Sequence, residues 1–287
     1  MPELPEVETM RRGVLPIVGS RIDKAERPPC KCRPIVFQPR IDAFDRRVRG
    51  KTISGVGRRG KRVMIELEDR QVIVLEPRMT GLVLLADPPG PEHLRLRLYL
   101  SGGPSEQLLF WDRRGLGTVR LLKESEIAKY VDSKLGVDAL EISMQQLRER
   151  LGCSRRAIKV ALLDQAAVAG IGNLYAAEIL FVAGVDPRTR CDRLSKAQWT
   201  RIQRGIGAVL NEAIEHEGST LSDGTYRNAL NDAGGYQNYH RVYDRAGACC
   251  RRCGKGEIKR IVQAQRSTFF CTKCQRKTGR HESVAAD

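Results

Sequence analysis

The chain has 287 residues and carries 50 Lys and Arg against 34 Asp and Glu, a net charge of +16. That length suits about two domains with a small appendage, and a composition 41% hydrophobic and 29% charged excludes a disordered tail. No apolar run approaches the roughly 18 residues that a membrane-spanning helix needs, and the cationic surplus points to a polyanion, with nucleic acid ahead of an acidic membrane surface or a ribosomal contact.

The first eight residues are acidic and lack a basic stretch followed by an apolar one, so no secretory signal is expected and the cytoplasm is the default location. Pro5 and Glu6, then Glu8, then Arg11 and Arg12 suit the dipole of a helix over about residues 5–18, ended by Gly19. Strands are predicted at 62–67, 72–75, 82–85, 94–100, 108–111 and 118–121, each short and bounded by Gly, Pro or Asp. In the fourth, Leu94, Leu96, Leu98 and Leu100 alternate with Arg95, Arg97 and Tyr99, the period of a half-buried strand. A β-sandwich or barrel follows. From about Ser125 the period becomes helical. Ser143-x-x-Gln146 and Ser195-x-x-Gln198 have capping-box spacing, and 155–164, 173–182 and 196–216 read as helices. A third region starts near Arg245. From Cys249 to the last residue ten Lys and Arg face three acids, a surplus of seven that suits contact with phosphates.

Nine cysteines, an odd count in a reducing compartment, argue against a disulfide framework. Cys250-x-x-Cys253 and Cys271-x-x-Cys274 are separated by seventeen residues, room for a hairpin. Each pair can close two thiolates on one ion, so a tetrahedral four-sulfur zinc site is expected. Cys249 breaks the paired spacing. Cys30, Cys32, Cys153 and Cys191 have no partner at ligand spacing and read as buried or idle thiols.

Removal of Met1, which a small second residue permits, leaves Pro2 as a secondary amine. Because α-amino groups titrate near 8, a neutral nucleophile is accessible at pH 7. Glu3 lies within reach of anything attached to it. The plainer alternative is an arm that Pro2 and Pro5 merely stiffen.

Five blocks, in order along nearly the whole chain, carry a resemblance. They are Met-Pro-Glu-Leu-Pro-Glu-Val-Glu-Thr with Arg11-Arg12-Gly13; Arg58-Arg59-Gly60-Lys61 leading into a strand; Asp164-Gln165 with the run from Val168 to Glu178; Val242-Tyr243-x-Arg245-x-Gly247; and Gln265-Arg266-x-Thr268-Phe269-Phe270-Cys271. Together they resemble the formamidopyrimidine-DNA glycosylase / endonuclease VIII-like family. The resemblance implies an α+β fold: an N-terminal helix with a catalytic β-sandwich domain (1–130), a helix–two-turn–helix DNA-binding domain (131–244) and a C-terminal zinc-finger β-hairpin (245–287). It implies a monomer on damaged double-stranded DNA, nucleoid-associated through that DNA, with one structural Zn2+ and no membrane partner.

The family's roles map onto matching positions. Pro2 is implied as the nucleophile at C1′, Glu3 as the acid/base carboxylate, Lys61 as the lysine that contacts phosphate and assists elimination, and Arg266 as the arginine gripping phosphates around the lesion. His93, Lys159 and Asn173 are implied as DNA contacts. Glu6, Thr225 and Tyr226 are implied as base-pocket residues, the last two on a Gly-, Asn- and Asp-rich loop over 219–239. The family fills the space of a flipped-out nucleotide with Met, Arg and Phe; Met79 and Arg114 match, while Leu116 replaces Phe and Gly115 replaces a basic residue. Glu76 stands where the family often has His. The Pro-Glu-Leu-Pro-Glu start points to the branch acting on oxidised purines, with the endonuclease VIII-like branch for oxidised pyrimidines as the alternative. A non-catalytic zinc-finger DNA-binding protein on the same scaffold is a further alternative, against which Pro2, Glu3 and Lys61 argue.

Overall fold

Helix α1 (Leu4–Gly13) starts where a capping box permits: the Glu3 backbone N–H donates to Glu6 Oε2 at 2.8 Å, and the Glu3 side chain caps in return. It ends earlier than the predicted 5–18. Pro16 has no N–H to continue the ladder, and its ring meets the carbonyl one turn back, so only a short tight turn, Leu15–Ile17, follows. The structure is a computed structural model describing residues 2–276; Met1 and the tail charges Lys277, Arg280, Glu282 and Asp287 lie outside the described residues.

The chain then forms β1 (Arg21–Glu26), β2 (Val36–Gln38), α2 (Ile41–Val48), β3 (Ile53–Arg59), β4 (Arg62–Leu67), β5 (Gln71–Glu76), β6 (Gly81–Leu84), β7 (Leu94–Ser101), β8 (Gln107–Asp112), β9 (Thr118–Lys123) and α3 (Glu124–Tyr130). One sheet has the order β1-β7-β8-β6 and the other β2-β9-β5-β4-β3. All pairings are antiparallel except β2 with β9. A single apolar cluster joins Val7 and Met10 of α1, with Val14 just past its end, to Leu82, Leu84, Leu96 and Leu98 of the first sheet and to Val63, Ile65, Ile73 and Leu75 of the second. Burying each such side chain contributes about 1.5–3 kcal/mol, so the sandwich and α1 stand on one core. Arg95 departs from the expected alternation and is buried. A register shift between Leu94 and Leu96 turns it inward, where its Nε donates to the Asp112 carbonyl at 2.9 Å.

The remaining elements are β10 (Val137–Asp138), α4 (Met144–Leu151), α5 (Ile158–Ala161), β11 (Val168–Ala169), α6 (Asn173–Ala183), α7 (Lys196–Glu215), β12 (Ile258–Gln263) and β13 (Arg266–Cys271). Both expected capping boxes form, with Ser143 Oγ accepting from Gln146 N–H and Ser195 Oγ from Gln198 N–H. The predicted helix over 155–164 shrinks to the single turn α5. Ser154 Oγ takes the Arg156 N–H and Asp164 Oδ1 the Ala166 N–H, local bonds that compete with a helical ladder. The chain divides into two compact units, 1–136 with 210–239, and 137–209 with the described residues from 240. Segment 210–239 therefore folds with the sandwich.

Candidate functional site

Pro2 and Glu3 are buried at the start of α1. Two turns on, Glu8 collects three guanidinium groups: Arg11 at 2.8 Å, Arg12 at 2.9 Å and Arg58 at 3.0 Å. Burial alone would raise the Glu8 carboxyl, but the hydrogen bonds from Arg11, Arg12 and Arg58 outweigh it and hold the group below its ordinary range. Arg58 also donates to the Gly60 carbonyl at 3.0 Å, inside the β3–β4 turn that carries Lys61. The Glu8–Arg58 pair thus ties the turn bearing Lys61 to the helix bearing Pro2 and Glu3. In the sequence Glu8 reads as part of a helix-dipole charge order and Arg58 as the head of the Arg58-Arg59-Gly60-Lys61 block; their pairing across 50 residues is not legible there.

Two further loops lie side by side. Met79 sits in the turn after β5, where Gly81 N–H donates to the Pro77 carbonyl at 2.8 Å. Arg114 and Leu116 sit in the loop after β8. Fully buried Asp112 fastens the second loop to itself and to the first, accepting from Thr80 Oγ1 at 2.5 Å, Arg114 N–H at 3.2 Å and Gly117 N–H at 2.7 Å. Thr80 Oγ1 accepts from Arg114 N–H at 2.9 Å as well. Arg114 is exposed, while Met79 and Leu116 are half-buried. Gly115 has φ +62°, and a Cβ there would lie 2.4 Å from the Arg33 carbonyl oxygen, so the segment around Arg33 occupies the place of a side chain. Glu76, unexplained in the sequence, pairs with Arg62 at 3.3 Å and Arg78 at 3.1 Å. It partly offsets the burial that lowers the Arg62 guanidinium, and it braces the residue before Met79.

His93 precedes β7 with its ring edge-on to Trp111 at 5.3 Å. Its Nδ1 lies 3.4 Å from Cys32 Sγ and its Nε2 3.4 Å from Glu92 Oε1. Cys30 and Cys32, expected to be idle, are therefore engaged: Cys30 Sγ accepts from Arg95 at 2.9 Å. Cys153 is exposed and Cys191 buried, and burial pushes the Cys191 thiol up to about 11.

Glu6 receives two backbone N–H groups, from Glu3 at 2.8 Å and from Ser219 at 2.9 Å, and so anchors the 219–239 loop on α1. Tyr226 is buried with its hydroxyl 2.9 Å from the Glu217 carbonyl and 3.4 Å from that of Glu6. Burial, then the Glu6 charge, pushes the phenol well above its ordinary range. Thr225 Oγ1 accepts from Arg113 at 2.8 Å, tying this loop to the Arg114 loop.

In the second unit Lys159, implied as a DNA contact, is fully buried with Nζ on Asn173 Oδ1: its stem packs inside and its charge stands behind Asn173. Asn173 opens α6 and donates to the Ser267 carbonyl at 3.0 Å, next to Arg266. Gln165 knits the approach to α6, donating to the carbonyls of Leu163 at 3.0 Å and Ile171 at 2.8 Å and accepting from Gly170 N–H at 2.9 Å. Arg266 is exposed just past a two-residue turn in which Ala264 and Gln265 both have positive φ, the geometry of a tight hairpin turn. Non-glycine residues held this way cost about 1–3 kcal/mol each and cluster at functional positions.

Cys250, Cys253, Cys271 and Cys274 place their sulfurs within 4.8 Å of one another, with Cys250–Cys274 and Cys253–Cys271 both at 3.8 Å. Four ligands about 2.3 Å from a tetrahedral zinc stand about 3.8 Å apart, so the donor set fits that ion. The Lys255 N–H, against opposing burial, and then the Gly256 N–H draw the Cys253 thiol down to about 6. Burial pushes Cys271 and Cys274 the other way. Cys249 stays outside the cluster.

Three family models match: the formamidopyrimidine-DNA glycosylase N-terminal domain over residues 1–119, the formamidopyrimidine-DNA glycosylase H2TH domain over 135–225, and a zinc finger found in FPG and IleRS over 250–276. The formamidopyrimidine-DNA glycosylases of Chloroflexus aurantiacus and Bacillus subtilis are each 38% identical over 283 residues, covering 96% of this chain and 98% and 100% of theirs. A Lactococcus lactis FPG mutant in complex with Fapy-dG-containing DNA superposes with a TM-score of 0.85 at 34% identity, covering 96% of this chain and all of that one. The Thermus thermophilus MutM (FPG) protein gives a TM-score of 0.83 at 34% identity, covering 97% of this chain and all of that one. With the finger model and the four-sulfur cluster together, the chain carries one structural zinc. Among the described residues no helix is long and apolar enough to cross a membrane.

Proposed function

Because the chain belongs to the formamidopyrimidine-DNA glycosylase family, we propose that it is a bifunctional glycosylase and abasic-site lyase of base-excision repair, acting as a nucleoid-associated monomer on damaged duplex DNA and removing oxidised purines, 8-oxoguanine and formamidopyrimidines. The observation that carries this reading is the tie from α1 to the Lys61 turn through Glu8 and Arg58, which supports Pro2, Glu3 and Lys61 as one chemical group.

Pro2, as a free N-terminal amine, attacks C1′ of the damaged nucleoside and the base departs, leaving a cationic iminium. That cation acidifies the 2′ proton, so the 3′ phosphate leaves by β-elimination and a second elimination opens the 5′ side. Glu3 protonates the opening sugar oxygen, and Lys61 contacts phosphate and assists elimination. The base is reached only when its nucleotide leaves the stack, which costs a few kcal/mol and less at a damaged pair. Met79, Arg114 and Leu116 fill the space, with Leu116 an apolar wedge of smaller stacking area than Phe. Glu6, Thr225 and Tyr226 hold the loop that walls the base pocket. His93 adds a DNA contact. Asn173 at the start of α6, with the Lys159 charge behind it, offers a phosphate the N–H groups and positive end of a helix, and Arg266 grips phosphate with its planar fork.

Borohydride reduces the iminium to a stable link. Duplex DNA carrying 8-oxoguanine is expected to trap one chain covalently, and Pro2→Gly or retention of Met1 is expected to abolish trapping. No trapped complex on any damaged or abasic duplex overturns the enzyme reading. Trapping that survives Pro2→Gly overturns the nucleophile. Excision with C and with A opposite the lesion tests how the Gly115 and Leu116 changes alter opposite-base discrimination.

A further inference from the structure

Between β1 and β2 the chain runs through Pro28-Pro29-Cys30-Lys31-Cys32-Arg33-Pro34 without regular structure. The Cys30 thiol donates to the Glu92 carbonyl oxygen at 2.9 Å, and the Cys32 thiol to that same oxygen at 3.9 Å. The two sulfurs are therefore neighbours, and each faces a different basic group. Arg95 donates to Cys30 Sγ at 2.9 Å, and His93 Nδ1 lies 3.4 Å from Cys32 Sγ. Arg95 is 3% exposed; its Nε is used by the Asp112 carbonyl, and its Nη2 has no hydrogen-bond partner among the described residues. Among the described residues Cys30 is the side chain that accepts a hydrogen bond from Arg95, so a guanidinium N–H stands on this sulfur. Glu92 Oε1 lies 3.4 Å from His93 Nε2; with the ring proton on that side, Nδ1 is the nitrogen that would accept from Cys32. Burial, then the adjacent Cys30 sulfur, pushes the Cys32 thiol up, which keeps Cys32 protonated until a base serves it. Both cysteines are half-buried, within reach of a small polar oxidant. An electropositive, partly exposed setting of this kind is where reactive cysteines occur.

We propose that Cys30 and Cys32 form a peroxide-oxidisable dithiol in which Cys30 attacks, Cys32 resolves and His93 takes the Cys32 proton. In the first step the Cys30 thiol gives up its proton as its sulfur attacks hydrogen peroxide: an S–O bond forms, the O–O bond breaks, and the departing hydroxide takes that proton to become water. Cys30 is then a sulfenic acid. In the second step Cys32 passes its proton to His93 Nδ1 and attacks the Cys30 sulfur. The S–S bond forms, the S–O bond breaks, and hydroxide leaves with that proton as a second water. Overall two thiols and one peroxide give a disulfide and two waters, with two electrons passing from sulfur to peroxide oxygen. The four zinc sulfurs stay committed to their ion. The disulfide forms one residue from Arg33, whose carbonyl seats against Gly115 in the Arg114–Leu116 loop.

The test uses the full zinc-loaded chain and hydrogen peroxide in slight excess, followed by thiol alkylation and peptide mass spectrometry. The expected result is loss of two alkylatable thiols, a Cys30–Cys32 peptide lighter by two hydrogens, and zinc retained. Oxidation that follows exposure, with Cys153 and Cys249 modified first and Cys30 and Cys32 still alkylatable, overturns the proposal. Cys32→Ser is expected to leave a dimedone-reactive sulfenic acid on Cys30, and Cys30→Ser to abolish reaction at Cys32. Equal peroxide reactivity of Cys32 in Cys30→Ser overturns the assignment of the attacking sulfur. Site-resolved alkylation rates of the unsubstituted chain, expected to be fastest at Cys30, test the same assignment without relying on any variant's folding; a faster rate at Cys32 overturns it.

Discussion

Gly115 invites a simple repair, restoring the basic residue expected there, and the structure predicts that the repair fails. At φ +62° any residue but glycine adopts a left-handed backbone, which costs about 1–2 kcal/mol. The added Cβ would also lie 2.4 Å from the Arg33 carbonyl oxygen and 3.1 Å from Arg33 Cβ, so one of two backbone segments has to move, a misfit that typically costs about 1–3 kcal/mol. Together the terms reach about 2–5 kcal/mol for Gly115→Ala. The neighbours Arg113 and Arg114 are exposed, so the loop yields before the sandwich does, and Arg114 and Leu116 leave their places. If about 2 kcal/mol of the misfit appears as lost binding, affinity for a duplex with an abasic-site analogue falls more than tenfold. Gly115→Arg falls with it despite the added cation. Gly102 supplies the control, since it has φ +75° but nothing within 4 Å of a Cβ; Gly102→Ala carries the backbone cost alone. Fluorescence anisotropy with damaged and undamaged duplexes, together with thermal melting, separates the terms. Gly115→Ala matching Gly102→Ala in melting, with affinity unchanged, would refute the close-approach argument.

Three further outcomes are expected. Burial, then Arg245 and Arg241, holds His240 down to about 4 against an ordinary 6.5; the folded chain keeps it neutral while the unfolded chain protonates it, so stability is full above pH 6.5 and falls by up to about 3 kcal/mol as pH drops to 4, and His240→Gln should flatten that limb of a denaturation-versus-pH series. Arg58→Met frees the Lys61 turn and leaves Glu8 to Arg11 and Arg12, so borohydride trapping on abasic DNA should slow by more than melting shifts; an unchanged trapping rate would count against Glu8–Arg58 as the brace. Chelation or Cys271→Ala removes the ion that supplies roughly 10–16 kcal/mol to such modules, so lesion binding should weaken; binding unaltered after complete zinc loss, measured by metal analysis on the same sample, rejects a DNA role for the finger.

Short-range spacing made much of this molecule legible. The strand 62–67 and the alternation of Leu94 to Leu100 set the sandwich, and Ser143–Gln146, Ser195–Gln198 and the two C-x-x-C pairs act within one turn or one knuckle, where spacing alone dictates geometry. Elements whose pattern is overwritten by neighbours were hidden. The strand β1 carries a register shift between Ile22 and Lys24, and β3 carries one between Ile53 and Gly55; both devices erase the two-residue period.

The parts of the site that sequence did not show are long-range contacts between residues with ordinary local readings. Asp112 reads as punctuation after a strand, yet it holds the loops of Met79 and Leu116 together from 32 residues beyond Thr80. Glu76 reads as an unexplained acid, yet Arg62 and Arg78 need its charge. Cys30 and Cys32 lack ligand spacing, but their partners Arg95 and His93 lie 65 and 61 residues away. Gly115 belongs with them. As a deletion of charge it had no cause, whereas beside Arg33 it is the residue that lets the cysteine-bearing segment lie against the loop proposed to enter DNA. A substitution at either place is therefore expected to be felt at the other, and a double-mutant cycle pairing Gly115→Ala with Arg33→Gly, which removes the Arg33 Cβ 3.1 Å away and frees the backbone that holds the carbonyl, measures it. Their effects should be non-additive by about 0.5–3 kcal/mol, as for residues in contact, whereas simple additivity would mean that the two segments only pass each other.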